Sequence, residues 1–366
     1  MSNLYCSMIH NGLELSFHKS IPTAQHCCLR STRFPIDITQ NFWRDKNLID
    51  LRQINQKNIW APGCENCERL ESSGLESFRT GMNQNFGIDK YHVSGPSRID
   101  LMFDISCNLA CRSCGPRLST TWQKHLKDNN LWNNTTFSPN NYQDVITALQ
   151  QLDLSNLKML VFCGGETLLG QTYWKVTEWL ANNVPNAKQQ LTVCFQTNGT
   201  QPILEKNYDL IDRFHLVKLH VSLDGVGDRF NYLRWPASWS QVVDNIMRIR
   251  ELAPSNTMFL IEETITIFNL YYRHELATWI KNNFVTNREG DIVNHTQHLA
   301  HGWFNLRNCS QPYVDYIRTT DSNNLIPKDW KENSFEIQKM LAQIHKFDQI
   351  RGESFAKTFP EVADFY

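Results

Sequence analysis

Cys107, Cys111 and Cys114 place three thiols within eight positions, in the stretch "ISCNLACRSCG". Steps of four and three residues let three sulfurs converge on one small object. A tetrahedral zinc site wants a fourth ligand close by, and the next cysteine is Cys163. Three thiolates directly after a strand can instead hold three irons of a four-iron four-sulfur cluster and leave the fourth iron open to an exogenous ligand. The missing fourth cysteine is then a requirement of the chemistry. The bland alternatives are three ordinary loop cysteines, clustered by accident, or zinc with a distant fourth ligand.

A second set of sulfurs precedes residue 70: Cys6, Cys27, Cys28, Cys64 and Cys67. Cys64 and Cys67 form a CxxC in "PGCENCE", and the others supply enough thiols to complete a four-ligand site. Zinc and a second iron–sulfur cluster both fit that count. Cys163 and Cys194 stand singly in apolar runs and read as small buried hydrophobes; Cys309, also single, lies beyond the last expected strand.

The elements that must carry these thiols follow from periodicity. "SRIDLMFDIS" alternates Ile99, Leu101, Phe103 and Ile105 on one face, and "LKMLVFCGG", "QLTVCFQTNG", "HLVKLHVSLDG", "NTMFLIEETITIF" and "HLAHGWFNL" follow as further apolar runs. Between these six expected strands lie helical patterns in "NYQDVITALQQL", "TYWKVTEWLANNV", "SWSQVVDNIMRIRELA" and "YYRHELATWIKNNF". Such alternation predicts parallel strands with right-handed crossovers, and chemistry at the carboxyl ends of the strands. Gly95-Pro96 in "DKYHVSGPSR" marks an expected boundary. Residues 1–95 read as an irregular cysteine-bearing module, 96–310 as the main α/β domain and 311–366 as a helical extension. In that extension Phe335, Ile337, Met340, Leu341 and Ile344 form an amphipathic helical pattern.

The bulk properties narrow the class. Apolar residues make up 41% and charged residues 20%, the balance of a soluble globular protein. A formal net charge of -1 gives no electrostatic case for nucleic acid or an anionic membrane. The N-terminus has no basic segment followed by an apolar run, and no stretch approaches a membrane span, so the expected location is the cytoplasm. Eleven cysteines there point to metal or redox chemistry rather than a disulfide framework.

At this point the sequence resembles the radical SAM family, whose motif is CxxxCxxC in the loop after the first strand of a partial six-stranded α/β barrel. The resemblance implies Cys107, Cys111 and Cys114 as cluster ligands. Ser113 stands where many members have an aromatic residue near the adenine, which weakens that contact but leaves the ligands unaffected. "CGGET" resembles the family's GGE motif, with Gly164, Gly165 and Glu166 at the amino group of S-adenosylmethionine (SAM); Thr167 replaces a frequent Pro. Thr197 and Asn198 in "QTNGT", and Ser222, Asp224 and Arg234 in "SLDGVGDRFNYLR", occupy positions that similar segments use around SAM, the guanidinium suiting its carboxylate. A turn is the plain reading of "QTNGT" and of Asp224-Gly225.

The N-terminal order of a Cys, then Gly12, then "HCC", then CxxC resembles the Twitch domain, a half-sized relative of the SPASM domain that holds an auxiliary cluster. "CENCERLESSGLESFRTGMNQNFG" resembles the CxxCxxxE, Gly, SxRxxxN run of relatives with this domain at the N-terminus. The resemblance implies Cys6, Cys27, Cys64 and Cys67 as auxiliary 4Fe-4S ligands, with Cys28 the alternative to Cys27. A structural zinc knuckle is the competing reading.

The fold class so implied is α/β: a partial (β/α)6 radical SAM barrel with an N-terminal Twitch-like module and a C-terminal helical extension. The implied activity is reductive cleavage of SAM to a 5′-deoxyadenosyl radical that takes hydrogen from a substrate. By analogy with many SPASM and Twitch relatives the substrate is a peptide or protein side chain, and the auxiliary cluster transfers electrons. A reductase, flavodoxin or ferredoxin would be the electron donor. The competing functions are a small-molecule substrate, such as a nucleoside, sugar or amino acid derivative, and a non-catalytic iron–sulfur carrier or sensor. Gly164, Gly165, Glu166, Ser222 and Arg234 beside an open triplet argue against the carrier, which has no use for a SAM pocket.

Overall fold

The computed structural model describes the chain apart from residues 1–3, 18–20, 31, 73, 75, 87–93, 132–141, 285–293, 301, 321–324 and 328. Nine strands form one sheet: β1 (Gly12–Ser16), β2 (Thr23–Gln25), β3 (Phe34–Pro35), β4 (Arg98–Met102), β5 (Met159–Cys163), β6 (Thr192–Thr197), β7 (Leu216–Ser222), β8 (Thr257–Ile265) and β9 (Asn294–Leu299). Their order is β3-β2-β1-β4-β5-β6-β7-β8-β9. From β4 to β9 every neighbour is parallel, as helical crossovers require. β1 adds to β4 in parallel, with Leu13 opposite Ile99 and Leu15 opposite Leu101, whereas β2 and β3 fold back antiparallel.

Residues 1–95 are therefore more regular than their sequence suggests. Three strands and the helices Ser7–Asn11, Lys46–Gln56, Glu65–Ser72 and Phe78–Phe86 lie there. The two- and three-residue lengths of β3 and β2 and the five-residue first helix hide them from periodicity, whereas β1, as long as β4, goes unread. The sheet runs without a break across residue 95.

The crossover helices pack on one face. Ile99, Leu101, Leu160, Phe162, Val193, Phe195, Val217, Leu219, Phe259 and Ile261 join a buried cluster with Val145, Val176, Leu180, Ile211, Val242, Ile246, Leu276 and Ile280 from the helical layer. The alternate positions point the other way. On β7 and β8 these are Lys218, His220, Ser222, Met258, Leu260, Glu262 and Thr264, all half-buried. A parallel sheet whose crossover helices cover one face, with the other face half-buried on β7 and β8, is consistent with a partial barrel.

Two expectations shift. The sixth strand ends at Leu299; Trp303, Phe304 and Leu306 belong to short 3-10 turns, and Phe304 and Leu306 pack in a second cluster with Ile337, Met340 and Ile344. Helix Ser334–Arg351 buries Ile337, Met340, Ile344 and Asp348, while Phe335 is 67% exposed and leaves the expected stripe. No described helix is long and apolar enough to cross a membrane.

Candidate functional site

The loop carrying Cys107, Cys111 and Cys114 follows β4 and is tied down at every turn. Ser119 caps helix Thr120–Asp128, and its hydroxyl donates to the Leu109 carbonyl at 2.5 Å. Thr120 Oγ1 accepts from the Cys107 amide at 3.1 Å, and Thr121 Oγ1 donates to the Cys107 carbonyl at 2.6 Å. Trp122 Nε1 donates to the Cys111 carbonyl at 2.8 Å. From the far side, the Ala110 and Arg112 amides donate to the Trp235 and Leu233 carbonyls, each at 2.7 Å. Cys111 is buried, Cys107 half-buried and Cys114 exposed.

Asn198, at the end of β6, and Arg234, at the end of helix Gly227–Leu233, converge on these sulfurs. Asn198 Nδ2 lies 3.8 Å from Cys107 Sγ and donates to Asn108 Oδ1 at 3.0 Å. Arg234 Nη1 lies 4.0 Å from Cys111 Sγ, and Arg234 Nη2 pairs with Asp224 Oδ2 at 2.9 Å. Burial pushes the Cys111 thiol up to about 12, with the Arg234 charge acting in the opposite direction. Arg234 Nε is buried without a hydrogen-bond partner. Three thiols with a guanidinium and an amide donor beside them suit an anionic metal–sulfur group, which would supply an acceptor for the orphaned N–H of Arg234.

Glu166 is fully buried. Its Oε1 accepts from Thr197 Oγ1 at 2.6 Å and the Leu168 amide at 3.0 Å, and its Oε2 from the Asn198 amide at 2.6 Å. Burial raises its pKa and these bonds oppose the rise. Gly164 and Gly165 have φ of +86° and +53°, and a Cβ on Gly165 would stand 2.4 Å from the Ser106 carbonyl oxygen. Their immediate task is close packing of this turn against residues 104–106, which lead into Cys107. Asp224 Oδ1 also accepts from the Thr264 amide at 2.8 Å, and Ser222 closes β7 opposite Glu262.

Residues 105–267 match the family model described as the Radical SAM superfamily. The matched stretch, under half of the chain, runs from the cysteine loop through β8. Among solved structures, hexahistidine-tagged anSMEcpe with bound AdoMet is 16% identical, with 61% of this chain and 56% of that chain covered and a TM-score of 0.43. Streptococcus suis SuiB bound to S-adenosylmethionine is 14% identical, with 90% and 70% covered and a TM-score of 0.40. SuiB bound to precursor peptide SuiA is 13% identical, with 96% and 74% covered and a TM-score of 0.39. These likenesses are distant, and the chain spans only 56% of the length of the anSMEcpe chain. No curated protein matches the chain.

Outside the matched radical SAM residues, Cys6, Cys27, Cys64 and Cys67 line one cavity; Cys28 is exposed and does not line it. Among the described residues, no three His, Cys, Asp or Glu side chains already meet closely enough to hold a single metal ion. The SxRxxxN run holds Cys6 through its neighbours. Arg79 Nη1 and Asn83 Nδ2 donate to the Tyr5 carbonyl at 2.6 and 2.8 Å, and Asn83 Oδ1 accepts from the Ser7 amide at 2.8 Å. Glu71 accepts from Arg79 Nε at 2.9 Å and Ser77 Oγ at 2.5 Å. Asn55 Oδ1 accepts from the Cys6 amide itself at 3.1 Å. A Cβ on Gly12 would lie 2.8 Å from the Met8 carbonyl oxygen and 2.9 Å from that of His26, so Gly12 lets the Cys6 and Cys27 segments approach.

Some of the support is invisible to motif reading. Arg112, inside the CxxxCxxC triplet, has a fully buried side chain whose Nη2 pairs with Asp348 Oδ1 and Glu353 Oε2, both at 2.7 Å. Arg351 Nη2 donates to the Ala110 carbonyl at 3.0 Å. The end of helix Ser334–Arg351 thus grips the cysteine loop. Cys309, fully buried in the second cluster, takes no part in the site, and Cys194 is buried as expected.

Proposed function

We propose that this protein is a radical SAM enzyme that reductively cleaves SAM and abstracts hydrogen from a peptide or protein side chain, with an auxiliary 4Fe-4S cluster in electron transfer. The observation that carries the reading is the pair of donors brought to the triplet, Asn198 at Cys107 from the end of β6 and Arg234 at Cys111 from the end of helix Gly227–Leu233. Bound at the triplet, the cluster supplies the electron that breaks the SAM sulfur–carbon bond.

The chain's residues do the rest. Cys107, Cys111 and Cys114 hold the cluster, and Arg234 offsets its charge. Glu166 Oε2 accepts one protein hydrogen bond and keeps a second lone pair for the SAM amino group, with Gly164, Gly165, Thr197 and Asn198 around it. Ser222 and Asp224 lie at the same strand ends. The inner face offers a polar wall to the substrate, on which His220 Nδ1 meets Glu262 Oε1 at 2.5 Å. Such a wall orients a polar group of the substrate.

Residues 1–95 serve the auxiliary cluster through Cys6, Cys27, Cys64 and Cys67, 96–310 carry SAM chemistry, and 311–366 brace the cysteine loop. Eleven free thiols suit a reducing cytoplasm, where a reductase, flavodoxin or ferredoxin supplies electrons.

The test is anaerobic reconstitution with iron and sulfide counted, then a reductant-dependent assay for 5′-deoxyadenosine, in the wild type and a Cys107→Ala/Cys111→Ala/Cys114→Ala variant. About eight irons, falling to about four with loss of 5′-deoxyadenosine, is the expected result. A fully loaded protein that never cleaves SAM would sink it.

A further inference from the structure

The cavity ringed by Cys6, Cys27, Cys64 and Cys67 contains a side chain that four thiols alone do not explain. Arg30 lines it and is 6% exposed. Its Nε and Nη1 are buried without a hydrogen-bond partner, an expensive state for a guanidinium. The backbone makes room for it: a Cβ on Gly63, the residue before Cys64, would fall 2.8 Å from Arg30 Nε, and Gly63 sits at φ +86°. The second arginine on the cavity, Arg79, is already engaged by Glu71 and the Tyr5 carbonyl. Burial lowers the pKa of Arg30, and the Cys64 and Cys27 thiols oppose that shift.

We propose that Arg30 is a positioning residue for the auxiliary cluster, donating from Nε and Nη1 to its sulfurs and raising its reduction potential. The inference rests on the auxiliary-cluster reading above. Reduction adds one electron to an already anionic group in a desolvated pocket. A fixed cation with two N–H donors stabilises the more negative state more strongly than the less negative one. The N-terminal site is thereby biased toward accepting an electron from a substrate radical.

The experiment uses the full chain with Cys107, Cys111 and Cys114 all changed to Ala, so that only the N-terminal site loads. Iron and sulfide are counted, and the midpoint potential is read by EPR-monitored titration with Arg30 intact and as Arg30→Gln. About four irons are expected in both, with reduction at least tenfold less favourable in Arg30→Gln, a drop of ~59 mV for one electron. Equal potentials in fully loaded proteins would overturn the role of Arg30 and leave the cluster standing. No iron, or zinc instead, with Arg30 intact would overturn the cluster reading itself.

Arg30→Gln leaves a gap beside four thiols and can fail to load, so Arg30→Lys supplies a second readout. In protein labelled with 15N-arginine, pulsed EPR of the reduced cluster is expected to show nitrogen coupling that disappears in Arg30→Lys. Coupling that persists would assign it to Arg79 and overturn the proposal.

Discussion

Arg112 shows how one buried charge can hold a cofactor loop. Its guanidinium lies 3.7 Å from the centre of the Tyr232 ring and joins two carboxylates, so its removal leaves Asp348 and Glu353 without their shared counter-charge. Arg112→Leu is expected to cost about 3–5 kcal/mol, measured from the denaturant midpoint at unchanged m, because the desolvation of both carboxylates persists after their partner is gone. Gly165→Ala acts more locally. Its Cβ would meet backbone, the Ser106 carbonyl at 2.4 Å, which cannot step aside as a side chain would. A loss of roughly 1–3 kcal/mol is expected, together with weaker iron retention by the triplet in anaerobic gel filtration. The cysteines were legible because their meaning lies in short spacing. Arg112 was not, since its partners stand 236 and 241 positions away and a lone arginine between cysteines carries no periodicity.

At the scale of elements, the short helix Ser7–Asn11 is held by a buried histidine. His10 Nε2 meets Asn55 Oδ1 at 3.0 Å, and its ring stacks on Tyr5 with centroids 5.1 Å apart. Burial lowers its pKa to about 4, with Asn55 opposing and Arg52 adding to the drop. The sign follows from linkage: the unfolded chain binds a proton near pH 6.5 while the folded chain stays neutral, so stability is full above about 6.5 and falls as pH drops toward about 4. His10→Gln, which keeps a hydrogen-bonding side chain without that titration, is expected to flatten the decline by up to ~3 kcal/mol in urea titrations of the apoprotein. Elements in an alternating run of strands and helices, β4 to β8 and helices such as Trp239–Leu252, are legible in sequence because each supports the reading of its neighbours. The helix Ser334–Arg351 was found but its face was not fully resolved, because burial of Asp348 and exposure of Phe335 reverse the usual preference. Buried Asp348 is the residue that reaches Arg112.

For the whole molecule, the decisive fact is that β1 completes the same sheet as the parallel strands β4 to β9. Gly95-Pro96 marks a change of pattern, yet Leu13, Leu15, Phe17, Phe42, Trp43 and Leu48 from one side share a buried cluster with Ile99, Leu101 and Phe103 from the other. Periodicity could not show this, since pairing between residue 13 and residue 99 is a property of tertiary register. The N-terminal module should therefore not behave as a separable domain. Each large apolar side chain withdrawn from that cluster forfeits roughly 1.5–3 kcal/mol, and the loss of all those on the N-terminal side rivals the ~5–15 kcal/mol by which a protein is usually stable. A chain beginning at residue 96 would also expose the edge of β4, a template for pairing with other chains. The expected outcome is that residues 96–366 alone are insoluble or unfolded by circular dichroism, and that the full apoprotein loses helix signal and tryptophan fluorescence in coincident transitions. A soluble, cooperatively folded 96–366 fragment, or two separated transitions in the intact chain, would show that residues 1–95 fold apart from the rest of the sheet and only dock against it.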